Sequence, residues 1–296
     1  MLVVCSLIWG LTFVAQAEGA EHITPMWFIC LRNVMGFLIL LPVITLSAKK
    51  KTKSGSAPLS KEDKRLFLIG SAACGFSLCL AAYLQQLAIT LGTPSGKAAF
   101  ITSLYIVLTP IFSFVVGRKA HPAIWFCVAL SIAGLYLLCV TERFTVIPSD
   151  FVVLGSAFAF TVQILVIEYF SHKCDGIMLA GGQFFFCAVF ALIFALVFED
   201  FSDTDIKGGL IPLLYAGIFA TGIAYTFQIT GQKRLENPTV ATMIMSMESV
   251  FGVLSCAVLL HQTLNGREIA GCALMFAAII IAQLPFDQLK RRKKNA

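Results

Sequence analysis

The chain of 296 residues is 58% apolar and 13% charged, with a mean hydropathy of +0.86. Soluble domains are typically about half apolar and a quarter charged, so the composition excludes an ordinary soluble enzyme, a disordered chain and a fibrous repeat. The formal net charge of +6 does not by itself indicate a nucleic-acid partner, because its meaning depends on where the basic residues lie.

Ten apolar runs of membrane length follow one another along the chain. They cover residues 1–17, 26–47, 66–90, 94–116, 122–140, 151–170, 177–198, 209–230, 238–260 and 268–286. None of them has the alternating polarity of a barrel strand, so each is predicted to be a helix. The sequence therefore predicts an all-α integral membrane protein with ten transmembrane helices.

The first run has a second interpretation. Ala15-Gln16-Ala17 has the form of a signal-peptide cleavage site, but no positive charge precedes it. As a helix, residues 1–17 would rise about 25 Å against a hydrocarbon core of about 30 Å, so the natural start could lie upstream of Met1. We expect the segment to be retained, because the repeat described below requires it as a span.

The Lys and Arg residues are divided unevenly between alternate connections. One set of connections, together with the C-terminal tail, holds 17 of them, and the other set holds 4. Because cytoplasmic loops are rich in Lys and Arg, the linker 48–65, the basic tail 287–296 and both termini are predicted to face the cytoplasm, in a cytoplasmic (plasma) membrane. The basic clusters are then topology signals with a weak attraction for anionic lipid, and no nucleic-acid partner is expected.

The two halves of the chain carry similar motifs in the same order. The matches are Pro25-x6-Arg32 with Gly176-x6-Gln183, Ala82-Tyr83-Leu84-Gln85 with Ala224-Tyr225-Thr226-Phe227-Gln228, Thr93-Pro94 with Asn237-Pro238, and Ser103-Leu104-Tyr105 with Ser246-Met247-Glu248. Because each half has five predicted spans, similar halves must cross the membrane in opposite senses. Inverted repeats are typical of transporters that bind substrate near the midplane between the halves. The predicted domains are a first five-helix repeat over residues 1–140 and a second over residues 150–286.

These motifs resemble the EamA-type branch of the drug/metabolite transporter superfamily, over essentially the whole chain. The resemblance is carried by Trp9-Gly10-x-x-Phe13-Val14-Ala15, the Pro25…Arg32 spacing, Ala82-Tyr83-x-Gln85, residues 98–105 with Thr109-Pro110, Gln183, Ala224-Tyr225-x-x-Gln228 with Gln232-Lys233, and Ser246-x-Glu248. It implies a ten-helix fold of two inverted repeats with cytoplasmic termini. It also implies export of amino acids, metabolites or drugs, as in many members.

Three positions depart from the family pattern. Ser249 stands where the family commonly has Pro directly after the ninth-span Glu, so this helix is expected to be straighter. Gly117-Arg118 and Leu260-His261 stand where the family often has Gly-Glu, so any role of those glutamates does not carry over. His261 could titrate near neutral pH, although a solvated loop histidine is the simpler interpretation.

Two charged residues, Arg32 and Glu248, are predicted to lie well inside spans. Charges within hydrocarbon are costly and usually face a cavity or a partner. We interpret Glu248 as the group that binds a cationic or amino group of the substrate, or a coupling proton. The alternatives are a buried carboxyl that holds helices together and, for Arg32, pairing with a lipid headgroup or with Glu18 or Glu21.

Polar and aromatic residues within the spans complete the predicted substrate site. An unpaired amide in hydrocarbon costs several kcal/mol, so each glutamine needs a partner, which could equally be another helix. The repeat pairs Arg32 with Gln183 and Gln85 with Gln228 across the pseudo-twofold axis. The other candidates are Trp9, Tyr83, Ser103, Tyr105, Gln163, Tyr225 and Ser246, with Gln86 and Thr102 beside them.

The sequence thus predicts a secondary transporter that exports a small molecule by alternating access with proton coupling. The rival hypotheses are a facilitated-diffusion or uptake permease, and a non-transporting scaffold or intramembrane enzyme. No P-loop, dinucleotide or zinc-protease motif occurs, and the ten cysteines show no metal-ligand spacing, so neither catalysis nor a cofactor or metal is expected. Substrate, direction, coupling ion and oligomeric state stay open.

Overall fold

The computed structural model describes residues 1–53, 60–115, 117, 122–139, 147–235, 237–259 and 266–282. Every regular element within these ranges is helical, as the sequence predicts. Among the described residues, seven helical segments are long and apolar enough to cross a membrane, namely Leu2–Ala20, Pro25–Ser47, Lys61–Thr90, Ser95–Val115, Pro148–Ser171, Gly176–Phe198 and Leu210–Gln232. The count of ten spans and their inverted arrangement stay predictions.

The described residues of the first half form six helices. They are α1 (Leu2–Ala20), α2 (Pro25–Lys53), α3 (Lys61–Thr90), α4 (Ser95–Thr102), α5 (Tyr105–Val115) and α6 (Pro122–Cys139). Ser60 and Asp63 form a capping box that begins α3 by satisfying backbone N–H groups at its start. Residues 48–53 and 61–65 of the predicted linker are therefore helical extensions of α2 and α3.

In the second half, the part of the chain that the structure describes forms seven α-helices and one π-helical segment. They are α7 (Pro148–Ser171), α8 (Gly176–Phe198), α9 (Leu210–Tyr215), the π segment (Ala216–Tyr225), α10 (Thr226–Gln232), α11 (Pro238–Met245), α12 (Met247–Leu259) and α13 (Gly266–Ala282), with a short 3₁₀ turn at Phe201–Asp203. Asp175 begins α8 by accepting hydrogen bonds from the backbone N–H groups of Ile177 and Met178. Three predicted features lie outside the described residues: Arg118, Leu260-His261 and the tail 287–296.

The fourth and ninth predicted spans are each interrupted near their middle. Ser103 and Leu104 separate α4 from α5, and Ser246 separates α11 from α12. The ninth span is thus interrupted although it lacks the proline, and whether it is straighter than in family members stays a prediction. The Ser246 hydroxyl donates to the carbonyl of Met243, and the N–H of Ser249 donates to the carbonyl of Ser246 three residues back, so the chain tightens locally without proline.

Helices from the two halves pack against each other throughout the bundle. α2 packs on α8 and on the π segment, α3 on α7 and α8, α1 on α12, and α6 on α13. Glycine permits the closest of these crossings: a Cβ atom at Gly10 would lie 2.6 Å from the Glu248 carbonyl oxygen and 2.7 Å from the Gly252 nitrogen. Contact between the backbones of α1 and α12 therefore fixes the start of α12 beside Trp9.

Candidate substrate site

A cavity of about 460 Å³ lies inside the bundle, between elements of both halves. Eight of the residues predicted for the substrate site line it: Trp9, Arg32, Gln85, Thr102, Tyr105, Tyr225, Gln228 and Glu248. The two charged members of this lining, Arg32 and Glu248, have opposite signs.

The carboxylate of Glu248 is positioned by the two helix interruptions. Glu248 lies in the first turn of α12 and Tyr105 begins α5. The Tyr105 hydroxyl donates to Glu248 Oε1 over 3.1 Å, and Ser103 Oγ lies 3.5 Å from the same oxygen. Ser103 Oγ is also 3.0 Å from Ser249 Oγ. The hydroxyl groups of one interrupted span therefore hold the carboxylate of the other, an arrangement common where discontinuous helices form transporter sites.

The guanidinium of Arg32 is anchored to the π segment. Arg32 is 4% exposed, and its Nε donates to Thr221 Oγ1 over 3.0 Å. The indole Nε1 of Trp9 donates to the neighbouring carbonyl of Ala220 over 3.3 Å, and the Trp9 ring meets the Tyr225 ring edge-on with centroids 4.8 Å apart. The π segment thus contacts Arg32 and Trp9 through consecutive residues.

Neither charged residue of the cavity forms an ion pair within the described ranges, with the other or with a third group. The ion pairs found there join His22 to Asp205 and Lys97 to Asp150, so Arg32 pairs with neither Glu18 nor Glu21. A buried charge without a partner is expensive. The arrangement therefore suits a ligand that brings the missing charges into the cavity.

Two glutamine pairs border the cavity, one from each half. In the first, Gln16 Nε2 donates to Gln85 Oε1 over 3.0 Å, and Gln85 Nε2 donates to Thr102 Oγ1 over 3.0 Å. In the second, the amides of Gln163 and Gln228 face each other at 3.4 and 3.3 Å. The first pair is thus closed by a third polar group, whereas Met245 lines the cavity at the position that corresponds to Thr102.

The remaining predicted residues lie around the cavity rather than in its described lining. Ser103 and Gln163 reach it indirectly, through their bonds to Glu248 and Gln228. Ser246 is buried and bonded to its own helix, and Tyr83 is half-buried on α3. Gln183 is fully buried in α8, and neither of its amide atoms has a hydrogen-bond partner in the described part of the chain.

Several cavity residues were not singled out from the sequence. They are Thr12, Phe13, Gln16, Phe160, Ile164 and Met245. Gln16 could have been found, because an amide in the middle of an apolar run needs a partner, and it stands in the first span much as Gln163 stands in the sixth. The apolar members carry no signal that distinguishes them from ordinary packing residues. A further buried carboxyl, Glu168, lies near the end of α7.

Connections from the two halves meet at one end of the bundle. The Glu199 carboxylate accepts hydrogen bonds from the N–H groups of Met26, at 2.9 and 3.0 Å, and of Trp27, at 3.3 Å. It therefore caps the positive start of α2. Asp205 donates its backbone N–H to the His22 carbonyl over 2.7 Å. We refer to these contacts, between residues 22–27 and 199–205, as the end latch.

Comparison with known proteins gives consistent matches over the whole chain. The family model of the EamA-like transporter family matches residues 1–140 and 147–283, which confirms the resemblance seen in the motifs. An uncharacterized transporter of Archaeoglobus fulgidus is 28% identical, over 96% of this chain and 84% of its own. A probable amino-acid metabolite efflux pump of Escherichia coli is 24% identical, over 93% of this chain and 91% of its own.

One solved crystal structure shares the fold. It superposes with a TM-score of 0.74 at 17% identity, and the match covers 97% of this chain and 96% of the other. At this identity the likeness concerns the fold alone. Together with the seven apolar helices of membrane length, these matches describe a multi-pass membrane protein.

Proposed function

The chain belongs to the EamA-like transporter family, and from this premise we propose that it is a secondary transporter that exports a small metabolite, amino acid or drug by alternating access, in exchange for protons. The observation that carries this proposal is the cavity between the halves, in which Arg32 and Glu248 carry opposite charges and neither forms a described ion pair. The chain is thus assigned to transport in a cytoplasmic membrane rather than to catalysis.

The architecture proposed for this function is ten spans in two inverted repeats, with both termini cytoplasmic. The packing supports it, because exchanging each span for its counterpart reproduces the contacts. α3 packs on α7 as α1 packs on the π segment with α9 and α10, and α1 packs on α12 as α7 packs on α5, while the α2–α8 and α6–α13 contacts map onto themselves. The matched residues Ser103 and Ser246 also lie at the two interruptions.

The two charges define the chemistry of the proposed substrate. A substrate with an ammonium group would meet Glu248, and a carboxylate on the same molecule would meet Arg32, which favours bidentate recognition of carboxylates. The rings of Trp9, Phe13 and Phe160 line the same cavity and offer apolar surface to a side chain. A zwitterionic amino acid or a close metabolite fits all three features, and the name of the Escherichia coli relative refers to substrates of this class.

Proton exchange follows from the position of Glu248 in the proposed cycle. It supplies the carboxylate of the described cavity lining, so a proton and a substrate ammonium group would compete for the same oxygens. Release of the cation after protonation, and release of the proton before the next binding event, would couple the two fluxes in opposite directions. Glu248→Gln removes the charge while keeping the shape, and is therefore expected to abolish transport.

The test compares cells that express the wild type, Glu248→Gln, Glu18→Gln or an empty vector, with each protein quantified in the membrane. Glu18 lies exposed on α1, so its variant makes the same charge change away from the cavity. Extracellular metabolites enriched with the wild type and Glu18→Gln, but not with Glu248→Gln, support the proposal. An uncoupler should collapse this export.

Other outcomes would redirect the assignment. Equal export by Glu248→Gln and the wild type would make Glu248 structural. If the transported compound only equilibrates across the membrane, and the uncoupler does not change this, the result would indicate facilitated diffusion. If no compound distinguishes the wild type from the empty vector, export is wrong, and uptake or a non-transport role takes its place.

A further inference from the structure

The π segment is an unusual element for the site to rest on. Residues Ala216–Tyr225 form i→i+5 hydrogen bonds between the ordinary helices α9 and α10. π-helical turns are rare and occur frequently at functional sites. In this chain Ala220 accepts from Trp9, Thr221 accepts from Arg32, and Tyr225 contacts the Trp9 ring. The wider turn therefore presents a carbonyl to Trp9 and a hydroxyl to Arg32, both of which line the cavity, and the ring of Tyr225 to the cavity itself.

Thr221 is the acceptor that the described chain offers to the guanidinium of Arg32. A guanidinium has five N–H donors. With Nε held by Thr221, the two terminal nitrogens keep the fork geometry that binds both oxygens of a carboxylate. Thr221 itself is absent from the described cavity lining, so its effect on a ligand must pass through Arg32.

The methyl group of Thr221 has a separate role from its hydroxyl. A Cβ atom built on Gly36 of α2 would lie 2.5 Å from Thr221 Cγ2, so the methyl packs directly against the α2 backbone. The methyl therefore sets the distance between α2 and the π segment, while the hydroxyl sets the orientation of the guanidinium. The two contributions can be removed one at a time.

We propose that the π segment orients Arg32 through the Thr221 hydroxyl, and that Thr221 is a positioning residue that sets selectivity for substrates with a carboxylate. This inference rests on the proposed function, which assigns Arg32 to the anionic end of the substrate. A structural role alone would affect all ligands of the cavity equally. A positioning role affects the ligands that bear the carboxylate.

The experiment measures binding of two probes to the purified full chain in detergent by calorimetry. Phenylalanine carries both charges, and phenethylamine is the same molecule without the carboxylate. Thr221→Val removes the acceptor and keeps the methyl, Thr221→Ser does the reverse, and Arg32→Gln removes the guanidinium. Thr230→Val is the matched control, because among the described residues its hydroxyl bonds only to the Thr226 carbonyl of the same span, at 2.8 Å.

Thr221→Val is expected to weaken phenylalanine binding about tenfold, because a guanidinium without its anchor must be oriented when the carboxylate binds, and to leave phenethylamine binding within about twofold. Thr221→Ser and Thr230→Val should keep the wild-type ratio between the two probes. If Thr221→Val weakens both probes equally, or matches Thr230→Val, the positioning role is wrong.

Failure of this inference can be told from failure of the proposed function. If Arg32→Gln weakens phenylalanine selectively while Thr221→Val does not, the substrate assignment stands and the role of Thr221 falls. If the wild type binds neither probe, the zwitterionic substrate class is wrong, and the role of Thr221 falls with it.

Discussion

The π segment and α3 occupy corresponding positions in the two sequence repeats. They differ in whether they offer a hydrogen-bond partner to the polar residue that faces them. The alignment that pairs Gln85 with Gln228 places Leu78 of α3 where Thr221 lies in the π segment. Thr221 accepts a hydrogen bond from Arg32, whereas both amide atoms of Gln183, the counterpart of Arg32, lack a described partner. The sequence motifs recur in both halves, but within the described residues the buried polar side chain has a hydrogen-bond partner at the Arg32 crossing and none at the Gln183 crossing.

The residues at which the backbones approach differ between these crossings. Gly36 of α2 and Gly222 of the π segment correspond to Cys187 of α8 and Cys79 of α3. A Cβ atom at Gly36 would lie 3.3 Å from the Gly222 nitrogen, whereas at the other crossing a Cβ atom at Gly75 of α3 would lie 2.8 Å from the Cys187 nitrogen. Each crossing therefore needs a glycine, but the two glycines lie at positions that do not correspond.

The largest effect on stability is expected from adding a side chain at Gly36, where α2 crosses the π segment. Gly36→Ala would push its methyl into Thr221 Cγ2, which is stiff because threonine is β-branched, and should lower the free energy of unfolding by about 1–3 kcal/mol. Cys187→Ala, at the corresponding position, should cost about 1 kcal/mol. Thermal unfolding of both variants in the same detergent checks this order, and a larger loss for Cys187→Ala would contradict the comparison.

A smaller effect on stability is expected at Gln16 and Gln85, the glutamine pair of the first half. Thr102→Val leaves Gln85 Nε2 without its acceptor, and should cost about 1 kcal/mol. Met245→Leu, at the matching position of the second half, conserves volume and touches no described hydrogen bond, so it should cost less. Equal losses of stability for the two variants would show that the bond between Gln85 and Thr102 contributes nothing specific.

The smallest effect on stability is expected at Gln183. Among these predictions, this substitution is the one expected to stabilise the protein. Replacing a buried amide that has no described partner by an apolar group of similar size removes a desolvation penalty, so Gln183→Leu should stabilise the protein by about 0.5–1 kcal/mol. Export should persist in this variant. A folded Gln183→Leu protein that no longer transports would place Gln183 back in the substrate site.

Most of the helical framework could be predicted from the sequence, because membrane length and apolar composition fix where helices form. Glu248 and Tyr105 could also be identified from the sequence, because an acidic residue inside a membrane span needs a partner. The π segment was not, because no local pattern distinguishes its residues from an ordinary apolar helix, and only the contacts of Trp9 and Arg32 give it a role. The role that symmetry predicts for Gln183 stays a prediction, and the position of α3 that corresponds to Thr221 holds Leu78, which offers no hydrogen-bond acceptor in its side chain.

The end latch has a consequence for kinetics. Glu199 accepts hydrogen bonds from the backbone of Met26 and Trp27, so separating these connections would leave the first turn of α2 without its carboxylate cap, at a cost of about 1 kcal/mol or more. In a cycle that opens this end, that cost enters the activation barrier each time. The end latch would then govern the turnover rate and its temperature dependence, whereas substrate affinity would depend on the groups inside the cavity.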